Sequence, residues 1–245
     1  MARRGAVAGW HRPDSEDPVM QHELTIGHGS AHEHFIGLSV EPALTERNRL
    51  TTAFRVILAI PHLILVGGPA ALALSLLFPP DTDRGMEWGG GGGVLGVAVM
   101  MAAMISWFAI VFTGRMPRGL WKLNAFYLRW RVRAAAYVAL LRDEYPPFGD
   151  GPYPVQLDLP SPGVVRDRWT VGFRLLLALP HLFMVWILGI AWMVTGVIAW
   201  FAILLTGSYP RSLYDFAIGV LRWSTDVEAY LLLLHDEFPP FSLTR

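Results

Sequence analysis

The stretch VGFRLLLALPHLFMVWILGIAWMVTGVIAWFAILLT, residues 171–206, carries a single formal charge, on Arg174. Eighteen or more apolar residues in a row argue for a bilayer, and one crossing takes about 20. Read with a break at Leu188-Gly189, the run makes two short spans that cross with little tilt or with local thinning of the bilayer. Two further apolar stretches precede it, from about Thr51 to Phe78 and from about Val94 to Thr113. The loop between them starts Phe78-Pro-Pro-Asp and ends in five glycines, Gly89 to Gly93. Its Gly91-x-Gly93-x-x-Gly96 matches a dinucleotide fingerprint in form only, because that motif needs a preceding strand within a βαβ unit. The expected fold is thus an all-α membrane protein with minor β structure and four transmembrane helices in two hairpins.

Composition agrees. Of 245 residues, 53% are hydrophobic and 16% charged, against about 25% charged in an ordinary soluble domain. Formal net charge is zero, which gives no footing for a nucleic-acid partner. The chain has no cysteine, so disulfides, thiolate metal sites, cysteine nucleophiles and c-type haem attachment are excluded. Met1 to Met20 has arginines without an apolar core after them and does not read as a signal peptide.

The second half repeats the first. Phe54-Arg55-x5-Pro61-His62 recurs as Phe173-Arg174-x5-Pro180-His181. Trp107-Phe-Ala-Ile-x2-Thr113-Gly114-x2-Pro117-Arg118 recurs as Trp200-Phe-Ala-Ile-x2-Thr206-Gly207-x2-Pro210-Arg211. Leu128-Arg129-Trp130 recurs as Leu221-Arg222-Trp223, and Asp143-Glu-Tyr-Pro-Pro-Phe148 as Asp236-Glu-Phe-Pro-Pro-Phe241. The domains follow: a His-rich tail over residues 1–34, repeat 1 over 35–148 and repeat 2 over 149–245. Each repeat opens with period-two apolar residues, Ile36, Leu38 and Val40 or Val155, Leu157 and Leu159, which predicts a short strand. A strand cannot sit alone in lipid. These two lie outside the bilayer, paired with each other or with Leu24-Thr25-Ile26.

These motifs resemble a bacterial integral membrane family described only as a domain of unknown function, of the DUF4389 type. The resemblance runs from about Phe35 to Phe241. It implies membrane location and internal duplication, and it brings no activity.

Of the 20 basic residues, only Arg84 falls in a hairpin loop. Cytoplasmic loops carry excess Lys and Arg, so both termini and the linker between repeats are expected in the cytoplasm of a bacterial inner-membrane, multi-pass protein. Two spans per repeat give both repeats the same orientation, related by an axis along the membrane normal.

After each hairpin, Thr-Gly ends the membrane helix and Pro117 or Pro210 opens a new one. Leu120, Leu123, Tyr127, Trp130, Ala134, Tyr137 and Leu141 recur every three or four residues and make one apolar stripe; Leu213 to Leu234 repeat the pattern. The expectation is a pair of amphipathic helices in the cytoplasmic interface, with Arg118, Lys122, Arg129, Arg131, Arg133 and Arg222 on anionic headgroups or a partner. The alternative is a pair of helices packed on a small cytoplasmic domain. The copies differ in charge, since Arg131 and Arg133 correspond to Ser224 and Asp226. The first helix is therefore expected to face headgroups, and the second to meet a basic surface of repeat 1 or of another subunit. Asp143, Glu144, Asp236 and Glu237 close these helices, where the dipole disfavours negative charge. They call for cationic partners, and Arg55 and Arg174 are the candidates.

Ionisable residues within membrane helices are costly and often functional. Arg55 and His62, like Arg174 and His181, stand seven residues apart on one helix face. They are either a binding site between the repeats or structural groups, Arg paired to carboxylate or phosphate and His bonded to a carbonyl. No cofactor is expected. Haem held by the two histidines is the cofactor alternative. His28, His32 and His34 are a weak metal candidate, and no catalytic residue set is recognised. The function expected first is a non-enzymatic structural or regulatory membrane module that engages lipid headgroups, a membrane-protein partner or further copies of itself. A small transporter or channel with its site at the Arg/His faces is second, and a haem- or quinone-binding oxidoreductase subunit third.

Overall fold

The computed structural model describes residues 36–68, 93–160 and 166–243. Residues 69–92 take in the end of the first apolar stretch, Arg84 and most of the glycine run. They lie outside the described residues, as do the tail, Leu24-Thr25-Ile26, and His28, His32 and His34.

The described chain is mostly helical. β1 (Gly37–Val40) is followed by α1 (Arg49–Ala53), α2 (Arg55–Val66), α3 (Gly93–Thr113) and α4 (Arg118–Val138). Repeat 2 supplies β2 (Val155–Asp158), α5 (Arg168–Gly172), α6 (Arg174–Thr206) and α7 (Arg211–Leu231). The two strands pair antiparallel, from Gly37 opposite Asp158 to Val40 opposite Val155. Leu38, Val155 and Leu157 turn inward, while Ser39, Gln156 and Asp158 are exposed.

The hairpin expected at Leu188-Gly189 does not form. Helix α6 runs unbroken through 33 residues, about 50 Å at 1.5 Å per residue. Gly189 is buried within it. A glycine costs about 1 kcal/mol relative to alanine inside a helix, too little to break one that packs along its length. Arg174, Ala178, His181, Gly189, Trp192, Ala199 and Ile203 form its buried stripe. Four spans are therefore not confirmed: among the described residues two helices, α3 and α6, are long and apolar enough to cross a membrane.

Repeat 1 contains the same long helix, interrupted. Equivalent residues are 119 apart before the interruption (Phe54 and Phe173) and 93 apart after it (Trp107 and Trp200), so repeat 1 carries 26 extra residues. The flanking ends of α2 and α3 still meet. Gly93 has φ +67°, and a Cβ on it would fall 2.6 Å from the backbone nitrogen of Gly67. Only glycine fits there.

In each repeat the long helix turns back into a helix that packs along it. The Tyr127 hydroxyl of α4 donates to the Val66 carbonyl at 3.4 Å, and Arg55 donates to the Tyr137 carbonyl at 3.2 Å. Helices α4 and α7 pack against each other, and β2 lies on α4. The end of α3 meets α5, and the end of α6 meets α1. The repeats therefore run head to tail, with the pseudo-two-fold axis across the long helices. The outcome is layered. One face of α2, α3 and α6 is apolar and exposed, with Ile57, Ile64, Met104, Phe112, Leu176, Phe183, Phe201 and Leu205 each 49% exposed or more. Helices α4 and α7 form the middle layer, and β1–β2 covers part of its far side.

Candidate functional site

The shared motifs converge on the end of α4 or α7. Each helix closes with a leucine in the left-handed region, Leu140 (φ 63°) or Leu233 (φ 61°). Leu141 N–H donates to the Ala136 carbonyl at 3.0 Å and Leu140 N–H to Tyr137 at 3.1 Å, the two bonds of a Schellman cap. Left-handed geometry costs a non-glycine residue about 1–2 kcal/mol, and buried arginines pin it. Arg47 donates to the Leu140 carbonyl and Arg166 to the Leu233 carbonyl, both at 2.6 Å. Arg55 donates to the carbonyls of Tyr137 and Arg142, and Arg174 to that of Tyr230 at 2.8 Å.

The carboxylates complete these clusters. Arg55 pairs with Asp143 at 2.5 Å and Arg174 with Asp236 at 2.7 Å, the pairing expected from the helix dipole. Arg47 joins Asp143 at 2.7 Å and Arg166 joins Asp236 at 3.3 Å. Burial alone would push the Asp143 carboxyl up; hydrogen bonds from Arg47, the Asn48 N–H and Arg55 outweigh it and hold the group at about 2. Each cluster sets two buried guanidiniums against one carboxylate, and the carbonyls at the helix end carry part of the balance. Glu144 pairs with Arg142 at 2.5 Å, and Glu237 is exposed.

The histidines sit one step further along the same network. The Trp130 indole donates to His62 Nδ1 at 3.0 Å, and Phe148 stacks on the imidazole at 4.5 Å between centroids. His181 lies against Trp223 and stacks on Phe241 at 4.0 Å. Thus Phe-Arg…Pro-His, Arg-Trp and Asp-Glu-aromatic-Pro-Pro-Phe are one assembly that fastens the long helix to its partner. Both imidazoles pack against the chain's own aromatic rings.

The basic residues of the amphipathic helices separate into two groups. Arg118 and Lys122 are exposed at the start of α4. Arg131 and Arg133, expected on headgroups or a partner, are engaged within the fold. Arg131 pairs with Glu228 of α7 at 2.8 Å, and Arg133 is buried and donates to the Gly149 carbonyl at 2.8 Å. Arg129 donates to the Leu157 carbonyl at 3.3 Å, and Arg222 is half-buried. The acidic helix thus meets a basic residue of repeat 1, Arg131. The cause is packing. Helices α4 and α7 pack against each other and β2 lies on α4, so Arg131 pairs with Glu228 and Arg133 with backbone.

Two short segments, unmarked in the sequence reading, take the exposed position. Helix α1 presents Arg49 with Leu50 70% and Phe54 51% exposed, and α5 presents Arg168 with Trp169 76% and Phe173 56% exposed. Asn48 and Asp167 cap them. The signal was present as Arg47-Asn-Arg49-Leu50 and Arg166-Asp-Arg168-Trp169, found by carrying the repeat alignment upstream of Phe54. Among the described residues, no group of three or more His, Cys, Asp or Glu is placed to hold a metal ion.

The model of the family described as Domain of unknown function (DUF4389) matches residues 92–149 and 168–242, more than half of the chain and one segment in each repeat. No curated protein and no solved structure matches.

Proposed function

The chain belongs to the DUF4389 family, and from that footing we propose that it is a non-enzymatic module seated in the cytoplasmic leaflet of a bacterial cell membrane, gripping anionic headgroups at its rim. The observation that carries this reading is the apolar face of α2, α3 and α6, exposed opposite a buried stripe. A helix buried in a soluble core has no such face.

Seating on one side is favoured over crossing by two magnitudes. Helix α6 is about 50 Å long, against about 30 Å of hydrocarbon. The strand β2 packs on α4, with Arg129 near the middle of that helix bonded to Leu157. A perpendicular crossing would place exposed Gln156 and Asp158 near mid-bilayer, at a cost of several kcal/mol for each unsatisfied group. With the long helices in the plane, the apolar face lies in lipid and the sheet in water. The pseudo-two-fold axis then stands along the membrane normal, and both termini share the cytoplasmic side. Arg49, Arg168, Arg118 and Lys122 fall at headgroup level beside the exposed Trp169 and Phe54, the usual depth for aromatic residues.

The test is flotation of purified protein with liposomes after detergent removal. The protein should float with all vesicles, and better with anionic ones. Each of Arg49→Gln, Arg118→Gln, Lys122→Gln and Arg168→Gln should reduce the anionic preference by about fivefold, the equivalent of about 1 kcal/mol per basic residue near the surface. Protein that stays in the aqueous fraction with every vesicle composition would overturn the proposal.

A further inference from the structure

We propose that the chain holds one anionic phospholipid, an acyl chain in the groove between α2 and α6 and the headgroup at Arg49. The inference rests on the membrane seating proposed above. The groove has a volume of about 320 Å³, at the lower end of the range for small-molecule sites. Its floor is the end of α4 at Val138 to Leu140, and its walls are Val56 of α2 and Gly189 to Trp200 of α6. Val56, Met193 and Val197 at these walls are 67%, 42% and 54% exposed on the face read as lipid-contacting. An apolar groove on that face takes up hydrocarbon, since water there would lack polar partners.

The duplication shows that the residues lining this groove differ in size from their equivalents at the other seam. The two seams between repeats have equivalent residues, and five groove positions are smaller than their counterparts. Val56 stands opposite Leu175 in the alignment, Val138 opposite Leu231, Ala139 opposite Leu232, Gly196 opposite Ala103, and Val197 opposite Met104. Trp192, against Val99, is larger and forms a wall. A Cβ on Gly196 would meet nothing within 4 Å, so the missing methyl leaves space rather than relieving a clash.

Charge and length choose the occupant. Arg55 lines the groove, within the cluster of two guanidiniums and one carboxylate, and its Nε is buried without a partner. Arg49 lies against Gly207, within 3.3 Å of where a Cβ on that residue would be. Gly207 is seven residues beyond Trp200, about 10 Å along the helix. Among the described residues Arg49 makes no ion pair. A phosphate at Arg49 therefore places its chain to run back past Trp200 into the groove.

The experiment is native mass spectrometry of the full chain purified from membranes in mild detergent. One phospholipid per chain is expected to be retained, enriched in anionic species. Ala139→Leu and Gly196→Ala borrow the residues of the other seam; together they should lower retention by about tenfold while the thermal midpoint in detergent holds or rises. Val197→Met, also borrowed from the other repeat, should act in the same direction and covers the case in which the first pair fails to fold. Arg49→Gln should keep a lipid but lose the anionic enrichment. Unchanged retention in folded, groove-filled variants would overturn the inference and leave the seating intact. Loss of membrane association by the parent chain would instead overturn the seating.

Discussion

Trp200 donates its indole N–H to the Thr52 carbonyl at 2.9 Å, across 148 residues of sequence. Its counterpart Trp107 does the same to Val171, also at 2.9 Å. The two bonds sit at opposite ends of the pseudo-two-fold arrangement and tie each long helix to the short helix of the other repeat. Replacing either tryptophan by phenylalanine keeps a ring and strands a carbonyl, which costs about 1–3 kcal/mol. Thermal unfolding in detergent should show a loss for Trp107→Phe and for Trp200→Phe. The double variant should add the two within about 0.5 kcal/mol, because the sites share no partner.

The clusters at the helix ends predict an order of severity. Asp143→Asn leaves Arg47 and Arg55 buried beside each other without their carboxylate, whereas Arg55→Met leaves Asp143 still held by Arg47. Breaking a buried pair on one side costs about 3–5 kcal/mol, and the aspartate variant should reach that range while the arginine variant falls below it. Arg55→Lys should not rescue, since an ammonium cannot serve Tyr137, Arg142 and Asp143 together. Equal loss in Asp143→Asn and Arg55→Met would contradict the two-to-one cluster.

Arg131 and Glu228 join the two amphipathic helices, with side chains 12% and 27% exposed. Arg131→Glu alone and Glu228→Arg alone should each destabilise the fold, and the double reversal should recover at least half of the loss. Liposome flotation of the folded double variant should equal that of the parent. A fall in flotation without a fall in stability would return Arg131 to the headgroup role that its packing denies it.

Acid should act in two steps. Burial pushes the His235 imidazole down to about 4, from about 6.5 when unfolded. Between those values the unfolded chain binds the extra proton, so stability falls as pH drops from 6.5 toward 4, by at most about 3 kcal/mol. Asp143, held at about 2, contributes stability that is present above about 3.9, its unfolded value, and is lost as pH falls toward 2. His235→Gln should reduce the upper step, to which the buried His62 and His181 also contribute, and leave the lower one. A midpoint unchanged between pH 6.5 and 4.5 in the parent chain would contradict the burial of a neutral His235.

The duplication, the strand pair and the Arg-carboxylate partners were legible because each is written in repeated, local spacing. The hairpin was misread for a physical reason. Repeat 1 carries an insertion where repeat 2 does not, and reading the intact copy by the interrupted one turned Gly189 into a break. The stripe from Arg174 to Ile203 recurs at steps of three, four, seven and eight residues, one helical face carried through Gly189, and argues for continuity. The fate of Arg131 and Arg133 was not legible. An arginine on a polar helix face has the same pattern whether it meets phosphate or a glutamate 97 residues away, and only the packing of α4 on α7 decides.

Seating in one leaflet requires both ends of the long helices to rest at the same membrane surface. The chain has no cysteine, so single cysteines report cleanly. Thr170 and Ser212 are exposed near the start and the end of α6. Thr170→Cys and Ser212→Cys should both react with a membrane-impermeant maleimide in inside-out vesicles, and neither should react in intact spheroplasts. Labelling of one position from each side would mean that α6 crosses the bilayer, and would contradict the account.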